Sequence, residues 1–208
     1  MTAGSCASSG TSTPSTAPDA RRTTTGYAHA RGRQVYVALN TYPSPTGLGA
    51  WEAAVDRAAA LGVDALICAD TGVLDYAMRR HPNVPRHLSV QGSATTHAAL
   101  RYYRERFGIA RAVLPRVLSL QQVERLCEQD VVPLEVFAFG SLCIMVEGRC
   151  QLSSYVTGNS PNRHGVCSPA KCVRWIEEND GVRSVTLNGR LIDSFEPDEP
   201  AGYPTVCK

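Results

Sequence analysis

Five short apolar segments alternate with amphipathic helical segments between residues 34 and 140, and this alternation constrains the fold of the 208-residue chain most. The predicted strands are Val35–Leu39, Val63–Cys68, His87–Val90, Ala110–Leu114 and Pro133–Phe139. Strands that are apolar almost throughout are typical of a parallel sheet covered by helices. Because no glycine-rich phosphate loop follows the first strand, an α/β fold forming a partial (β/α) TIM-like barrel is favoured over a doubly wound dinucleotide-binding fold.

Local signals mark where several of the helices begin and end. Gly62 and Gly108 each follow an apolar helical stripe, which predicts a C-terminal cap at both positions. Ser119 and Gln122 have the spacing of a capping box and predict the start of a helix. A further helix is predicted over residues 71–81, capped by Asp70 or by the threonine that follows it.

Polar residues follow the predicted strands: Asn40, Asp70, Gln91 and Arg116. In a (β/α) barrel this rim carries the chemistry, whereas the plainer interpretation is that such residues cap strands and helices. Glu135 alternates with Val136 on a predicted central strand and is expected to point into the barrel. A buried carboxylate needs a partner, and Arg116 or Arg149 could supply one, either as a structural ion pair or beside an active-site acid.

The two ends of the chain differ from its centre. Residues 1–25 are a low-complexity segment rich in serine and threonine, for which we expect disorder. After residue 140 the periodicity stops, apart from a short helix predicted over residues 169–178 and a hairpin over 183–195 with Asn188 and Gly189 in its turn. The predicted domains are therefore a disordered segment (1–25), a partial barrel (26–140) and a cysteine-rich segment (141–208).

Composition narrows the possible partners and compartment. The net charge of +2 gives no electrostatic reason to expect nucleic acid or an anionic membrane as a partner. No apolar run approaches the ~18 residues of a membrane span, and the N-terminus has no signal-peptide pattern. We therefore expect a soluble, cytoplasmic protein. In that compartment clustered cysteines are more often metal-binding or catalytic than paired in disulfides.

Eight cysteines are present, and several gather in the irregular last third of the chain. The candidate ligands are Cys143, Cys150, Cys167, Cys172 and Cys207. Their wide, uneven spacing suits an iron–sulfur cluster better than a compact zinc site, with zinc, free thiols and disulfides as the alternatives. Five candidates for four places leave one spare, and spacing alone does not choose between them. Cys68 and Cys127 are predicted to be core residues.

Several stretches of the chain resemble the U-32 peptidase family, and within it the UbiU-type ubiquinone-biosynthesis proteins. They are Leu134–Cys143, Glu147–Cys150, Leu152–Tyr155, Asn162, Gly165–Cys167 and Tyr203–Lys208, with His87–Gln91, Ser93–Thr95 and Val113–Ser119 upstream. The resemblance extends over roughly residues 26–208. The resemblance is specific, because several long sequence motifs occur in the same order as in the family.

The resemblance implies a barrel-like catalytic domain with a [4Fe–4S] cluster on Cys143, Cys150, Cys167 and Cys207. Cys172 falls where the family pattern has no cysteine. The implied function is an iron–sulfur subunit of an oxygen-independent hydroxylation system for ubiquinone biosynthesis. The implied partners are a UbiV-like subunit, forming a heterodimer, and a ubiquinone precursor, with prephenate as the source of the hydroxyl group.

Two other functions stay open at this point: a U-32-type peptidase, and a zinc-stabilised module without turnover. No nucleophile–base pair for proteolysis is evident in the sequence, and no catalytic residue is assigned. Residues 1–25 do not resemble the opening of the family, and five predicted strands are fewer than the eight of a complete barrel. We therefore expect the chain to be a fragment of a longer protein or the product of a truncated gene.

Overall fold

The computed structural model describes residues 18–139, 143, 145, 150–165, 167 and 169–202. The chain divides into two compact units. The first, Thr13–Gly148, is called the parallel-sheet unit; the second, Arg149–Lys208 with Met1–Ser12, is called the antiparallel-sheet unit. Across the described residues, no helix is both long enough and apolar enough to cross a membrane.

The parallel-sheet unit contains five parallel strands in the order β1-β2-β3-β4-β5. The strands are β1 (Tyr36–Leu39), β2 (Ala65–Cys68), β3 (Arg86–Leu88), β4 (Ile109–Val113) and β5 (Leu134–Glu135). The helices are α1 (Pro18–His29), α2 (Leu48–Ala60), α3 (Thr71–Arg80), α4 (His97–Phe107) and α5 (Leu120–Cys127), with a 3-10 turn at Val90–Gly92. Strands and helices alternate along the chain, so the prediction of an α/β fold with a partial, barrel-like parallel sheet is confirmed.

One face of this sheet forms the core, together with the helices. The largest fully buried side chains are Leu66, Leu88 and Leu114 from the strands and their ends, and Val55, Val73, Leu74 and Leu100 from the helices. Side chains alternate between the two faces of a strand, so the residues between the buried ones point the other way. On that opposite face Tyr36, Arg111 and Glu135 are partly exposed. These three polar groups of the sheet thus lie on the face away from the helices.

Several helix boundaries lie where the sequence places them. The carboxylate of Asp70 accepts a hydrogen bond from the Val73 N–H at 3.0 Å, so Asp70 caps α3. Ser119 and Gln122 form a reciprocal capping box at the start of α5, with contacts of 2.8 and 3.3 Å. The C-terminal turns after α2 and α4 contain Gly62 and Gly108, both with positive φ.

Helix α1 begins within residues 1–25, for which the sequence predicts disorder. Pro18 is its first residue, a position where the missing N–H of proline costs no hydrogen bond. His29, the last residue of α1, contacts the Asp64 carboxylate at 2.9 Å, and the same carboxylate accepts from the Val35 N–H at 2.6 Å. These contacts join α1 to the sheet. The composition of residues 1–25 does not reveal them, because they involve residues distant in the sequence. Residues 1–17 lie outside the described residues, and the disorder expected for them stays a prediction.

The antiparallel-sheet unit contains three strands in the order β6-β7-β8. The strands are β6 (Val173–Glu177), β7 (Arg183–Leu187) and β8 (Arg190–Phe195), preceded by α6 (Leu152–Thr157), α7 (Pro161–His164) and a 3-10 turn at Ala170–Cys172. The predicted hairpin is confirmed, because Asn188 and Gly189 have positive φ values of 51° and 77° between β7 and β8.

The helix predicted over residues 169–178 is wrong. Only a 3-10 turn forms there, and the chain then continues as β6. The segment contains β-branched and aromatic residues, which favour a pleated surface, and Trp175 pairs with Val185 of β7. Cross-strand pairing therefore overrides the weak helical pattern. A small core of Val156, Cys172 and Leu187 lies beside this sheet.

Arg86 is a buried arginine whose hydrogen bonds connect two helix ends. Its guanidinium donates to the carbonyl oxygens of Val84 at 2.8 Å, Phe107 at 3.0 Å and Gly108 at 3.2 Å, and more weakly to His81 and Pro82. Phe107 ends α4 and His81 follows α3, so the cation satisfies carbonyls at the negative ends of both helices. Burial lowers the pKa of Arg86.

We expect Arg86→Gln to lower the free energy of unfolding by roughly 3 kcal/mol, because several buried carbonyls lose a charged donor. Urea titration followed by circular dichroism would measure the loss. The matched control is Arg79→Gln, which breaks an exposed pair with Asp75 at 2.8 Å and should cost less than about 0.5 kcal/mol. Equal losses from the two variants would contradict the role given to Arg86.

Candidate functional site

Helix α6 holds the backbone of two of the predicted ligand cysteines. The Ser154 hydroxyl donates to the Cys150 carbonyl at 3.2 Å, and the Ser153 hydroxyl donates to the Cys167 carbonyl. Ser153 is only 3% exposed, so its contact is shielded from water. Two consecutive serines thus bring Cys150 and Cys167 to one short helix, although the cysteines are well separated in the sequence.

The loop between these cysteines is shaped by two glycines and fastened to the hairpin. Gly158 and Gly165 end α6 and α7, both with positive φ, and turn the chain back toward Cys167. The Asn188 side chain donates to the Val156 carbonyl at 2.9 Å, which fixes the end of α6 against the β7–β8 turn. The cysteine loop is therefore part of the packed unit rather than an appendage to it.

The cysteines occupy two kinds of environment. Cys143 and Cys150 are half-buried and Cys167 is exposed, so their thiols can reach a ligand. Cys68 is completely buried, and burial raises its pKa to about 12. Cys172 is buried in the small core beside β6. Metals bind thiolates, which form more readily at accessible sites than at buried ones. These environments therefore favour Cys143, Cys150 and Cys167 as ligands over Cys68 and Cys172.

Two of the predicted ligands lie in the same compact unit. Cys150 and Cys167 share the antiparallel-sheet unit, while Cys143 belongs to the parallel-sheet unit, where its thiol contacts the Met145 carbonyl at 3.8 Å. Cys207 lies outside the described residues. Within the described ranges, no three histidine, cysteine or acidic side chains meet in a metal-binding arrangement. The complete four-cysteine set therefore stays a prediction.

Cys127 differs from its predicted position in the core. It is exposed at the end of α5, a helix in which Leu126 is the buried residue. Successive helical residues are rotated by about 100° around the axis, so Cys127 does not share the face of the buried Leu126.

The carboxyl end of the parallel sheet carries a polar network. The Asn40 amide donates to the Ser89 hydroxyl at 3.4 Å, and the Gln91 N–H donates to the same hydroxyl at 3.3 Å. The Tyr42 hydroxyl donates to the Gln91 carbonyl at 2.6 Å. The side-chain Oε1 of Gln91 is buried and accepts no hydrogen bond from the described residues. A donor that reached this buried acceptor would form a hydrogen bond, and the bond would remove the cost of leaving the acceptor unsatisfied.

The other predicted rim residues have different roles. Asp70 caps α3, as in the plainer of its two interpretations. The Arg116 guanidinium lies over the Phe137 ring, 4.0 Å from its centroid. Phe139 is fully exposed beyond it. The rim thus combines a stacked cation and exposed aromatic surface with the amide network of Asn40 and Gln91.

Sequence reasoning missed Ser89 and Tyr42, which complete this network. A signal was available for Ser89, because it directly follows strand β3 and precedes a 3-10 turn that it caps. Tyr42 lies two residues after Asn40 in an irregular segment, and no local pattern points to it. Phe137 was expected inside the fifth strand, but β5 ends at Glu135.

Glu135 does not pair with Arg116, one of its two predicted partners, and the prediction for Arg149 is not tested. Glu135 is half-exposed and pairs with Arg111 at 3.3 Å, whereas Arg116 lies over Phe137 and Arg149 is outside the described residues. The reason is register: Val113 pairs with Glu135, and Arg111, two residues earlier, lies on the same face. An exposed pair of this kind contributes only about 0–1 kcal/mol.

A buried histidine lies beside this pair. His87 is 6% exposed and packs edge-on against Tyr36, with ring centroids 5.0 Å apart. Burial lowers the pKa of His87, the Arg111 charge lowers it further, and the Glu135 carboxylate raises it. His87 is therefore neutral at neutral pH and offers a hydrogen-bonding ring without a charge.

Comparison with known proteins gives a consistent family relationship. Residues 17–187 match the family model described as Peptidase family U32. The tRNA hydroxylation protein P of Escherichia coli is 34% identical over 171 residues, which are 82% of this chain and 37% of that protein. The 23S rRNA 5-hydroxycytidine C2501 synthase of Escherichia coli is 30% identical over 175 residues, 84% of this chain and 26% of that protein.

A third relative has a different name. The collagenase of Porphyromonas gingivalis is 32% identical over 149 residues, which are 66% of this chain and 35% of that protein. The chain therefore spans between about a quarter and two-fifths of the length of these relatives. No solved structure matches the chain.

We expect alkylation of the metal-free chain to distinguish the two cysteine environments. Iodoacetamide at neutral pH should modify Cys150 and Cys167 well before Cys68 and Cys172, because both of the latter are buried and burial also raises the pKa of Cys68 to about 12. Mass spectrometry of peptides would follow each site. Unfolding the chain in urea is the control and should remove the difference. Fast labelling of Cys172 in the folded chain would contradict its placement in the core.

Proposed function

We propose, because this chain belongs to peptidase family U32, that it acts in a hydroxylation system whose substrate is an RNA nucleoside. The observation that carries the proposal is its similarity to two proteins named for the hydroxylation of tRNA and of 23S rRNA. Each alignment covers more than four-fifths of this chain. The chain spans a smaller part of each relative, so the activity of the whole protein belongs to the proposal.

An RNA substrate replaces the ubiquinone precursor that the motif resemblance implied. The quinone assignment, with its UbiV-like partner, rests on separate sequence motifs such as Leu134–Cys143. The RNA assignment rests on long alignments to named proteins, which makes it the stronger of the two. We keep the UbiU-type function as the narrower alternative, and the two make different predictions for the product.

The rim of the parallel sheet has groups suited to a planar, polar ring. The Oε1 of Gln91, which has no hydrogen-bond partner among the described residues, can accept a hydrogen bond from an exocyclic amino group. The hydrogen bond from Tyr42 fixes the Gln91 backbone, so that acceptor is held in place. Arg116, stacked on Phe137, presents a planar cation of the kind that unpaired bases stack on. These residues would bind and orient the base.

A [4Fe–4S] cluster on Cys143, Cys150, Cys167 and Cys207 is part of the proposal. The donor set fits, because such clusters take four thiolates and the three described candidates are accessible. When bound, a cluster with four cysteine ligands supplies electron transfer or structural support rather than an open iron site. Ser153 and Ser154 would hold two of the ligating residues in position through their backbones.

We expect anaerobically purified chain to contain about four iron and four sulfide per molecule, as the cluster type requires. Cys150→Ser, Cys167→Ser and Cys207→Ser should each lower the iron content sharply, because each removes a thiolate. Cys172→Ser is the matched control and should keep it, since Cys172 lies in the small core. Equal loss from Cys207→Ser and Cys172→Ser, or zinc in place of iron, would refute the ligand set.

We expect the iron-loaded chain to hydroxylate RNA in an anaerobic reaction with prephenate as the hydroxyl donor. Nucleoside mass spectrometry of treated tRNA and rRNA should show a new hydroxylated nucleoside, and Cys150→Ser should abolish it. A parallel reaction with a ubiquinone precursor is the discriminating arm. Hydroxylation of the quinone alone would reject RNA and support the UbiU-type function. Cleavage of a collagen peptide by both the chain and Cys150→Ser would support a peptidase, the function that the name of the third relative suggests.

A further inference from the structure

The antiparallel-sheet unit separates its charges into two ends. Residues 150–176 contain Arg163, Lys171 and Arg174 but no aspartate or glutamate. Most acidic residues of the unit follow at the far ends of the strands: Glu177, Glu178 and Asp180 around the β6–β7 turn, and Glu196, Asp198 and Glu199 after β8. The exceptions are Asp193, which lies within β8, and Arg183, a cation at the acidic end. A net charge taken over the whole chain averages this separation away.

Hydrogen bonds gather the basic residues around the β7–β8 turn. The Asn188 N–H donates to the Cys172 carbonyl at 2.7 Å, which places the adjacent Lys171 beside the turn. The Asn188 side chain donates to the Val156 carbonyl at 2.9 Å, which places α6 there as well. Arg190 follows the turn directly and lies over the Tyr155 ring of α6, 5.1 Å from its centroid.

Arg174 completes the group. Its guanidinium donates to the Lys171 carbonyl at 3.2 Å and to the Val173 carbonyl at 2.9 Å, which holds it close to Lys171. Lys171, Arg174 and Arg190 are all exposed. None of the close ion pairs among the described residues involves these three cations.

Tyr155 adds an aromatic surface to the cations. It is 75% exposed, although a large apolar ring gains by burial. Arginine next to an exposed aromatic ring is the combination on which nucleic-acid bases stack in single-stranded sites. Phosphate groups are the anions that lysine and arginine bind along such a strand.

We propose that the basic end, formed by Tyr155, Lys171, Arg174 and Arg190, binds single-stranded RNA. The cations contact phosphates, and a base stacks on the Tyr155 ring. This inference rests on the proposed function for the choice of RNA among anionic partners. Charge complementarity and the exposed ring locate the contact. An acidic protein segment would use the same cations but would gain little from the ring.

The first experiment measures binding of the full iron-loaded chain to a fluorescent single-stranded RNA of about 12 nucleotides, by anisotropy between about 50 and 200 mM salt. The triple variant Lys171→Gln, Arg174→Gln, Arg190→Gln should bind more weakly. The slope of log K against log salt should fall by about 2, since each phosphate contact to a single strand contributes about 0.7.

The matched control removes three charges from the other end of the sheet, with Glu177→Gln, Glu178→Gln and Asp180→Asn. It should leave the salt slope unchanged. Tyr155→Ala should weaken binding about tenfold through lost stacking, and Tyr155→Phe should restore it. Iron content and circular dichroism of each variant show that the chain is loaded and folded.

Failure of this inference is distinguishable from failure of the proposed function. If RNA binds the wild-type chain and the triple variant with equal affinity and salt slope, the basic end is not the contact, whatever the hydroxylation assay shows. Binding of an acidic peptide with the same dependence on Tyr155 would also overturn it. If the chain neither binds nor hydroxylates RNA, both proposals fall.

Discussion

The hydrogen bonds of the buried Arg86 guanidinium are the interaction on which the parallel-sheet unit most depends. Strand β3 is the central strand of five, and Arg86 joins it to the ends of the helices on either side in sequence. The same strand ends directly before Ser89 and Gln91, the centre of the polar rim. The cation at the start of this short strand therefore helps to fix the position of the candidate substrate-binding residues that follow the end of the strand.

Periodicity and caps were sufficient to predict the α/β fold, and resemblance was sufficient to predict the family. Apolar strands, the Ser119 capping box and the Asn188–Gly189 turn are local signals, and each is confirmed. The wrong predictions depend on pairing between distant segments. The partner of Glu135 follows from the register of β4 and β5, and the strand at Val173–Glu177 forms because β7 lies beside it.

The candidate site was predictable in its chemistry but not in its scaffold. The number of cysteines and the family's sequence motifs predict the ligand set. Iron analysis of the cysteine variants would test it. The contacts of Ser153 and Ser154 with Cys167 and Cys150 depend on how the loop closes, so the serines look unremarkable in the sequence. The net charge leaves out spatial information in a similar way, and the expectation that nucleic acid is not a partner stays a prediction. A value of +2 contains no information on where charges lie, and the three-stranded sheet separates them by end.

This separation gives the small sheet an electric dipole along its strands. Strands of five or six residues keep the two ends well over a Debye length apart, about 8 Å at physiological salt. An anionic polymer such as the proposed RNA would therefore experience a torque as well as an attraction, and would be turned toward the β7–β8 hairpin before any contact forms. The acidic end would repel the same polymer. This repulsion would raise the fraction of encounters in which the polymer meets the basic end first.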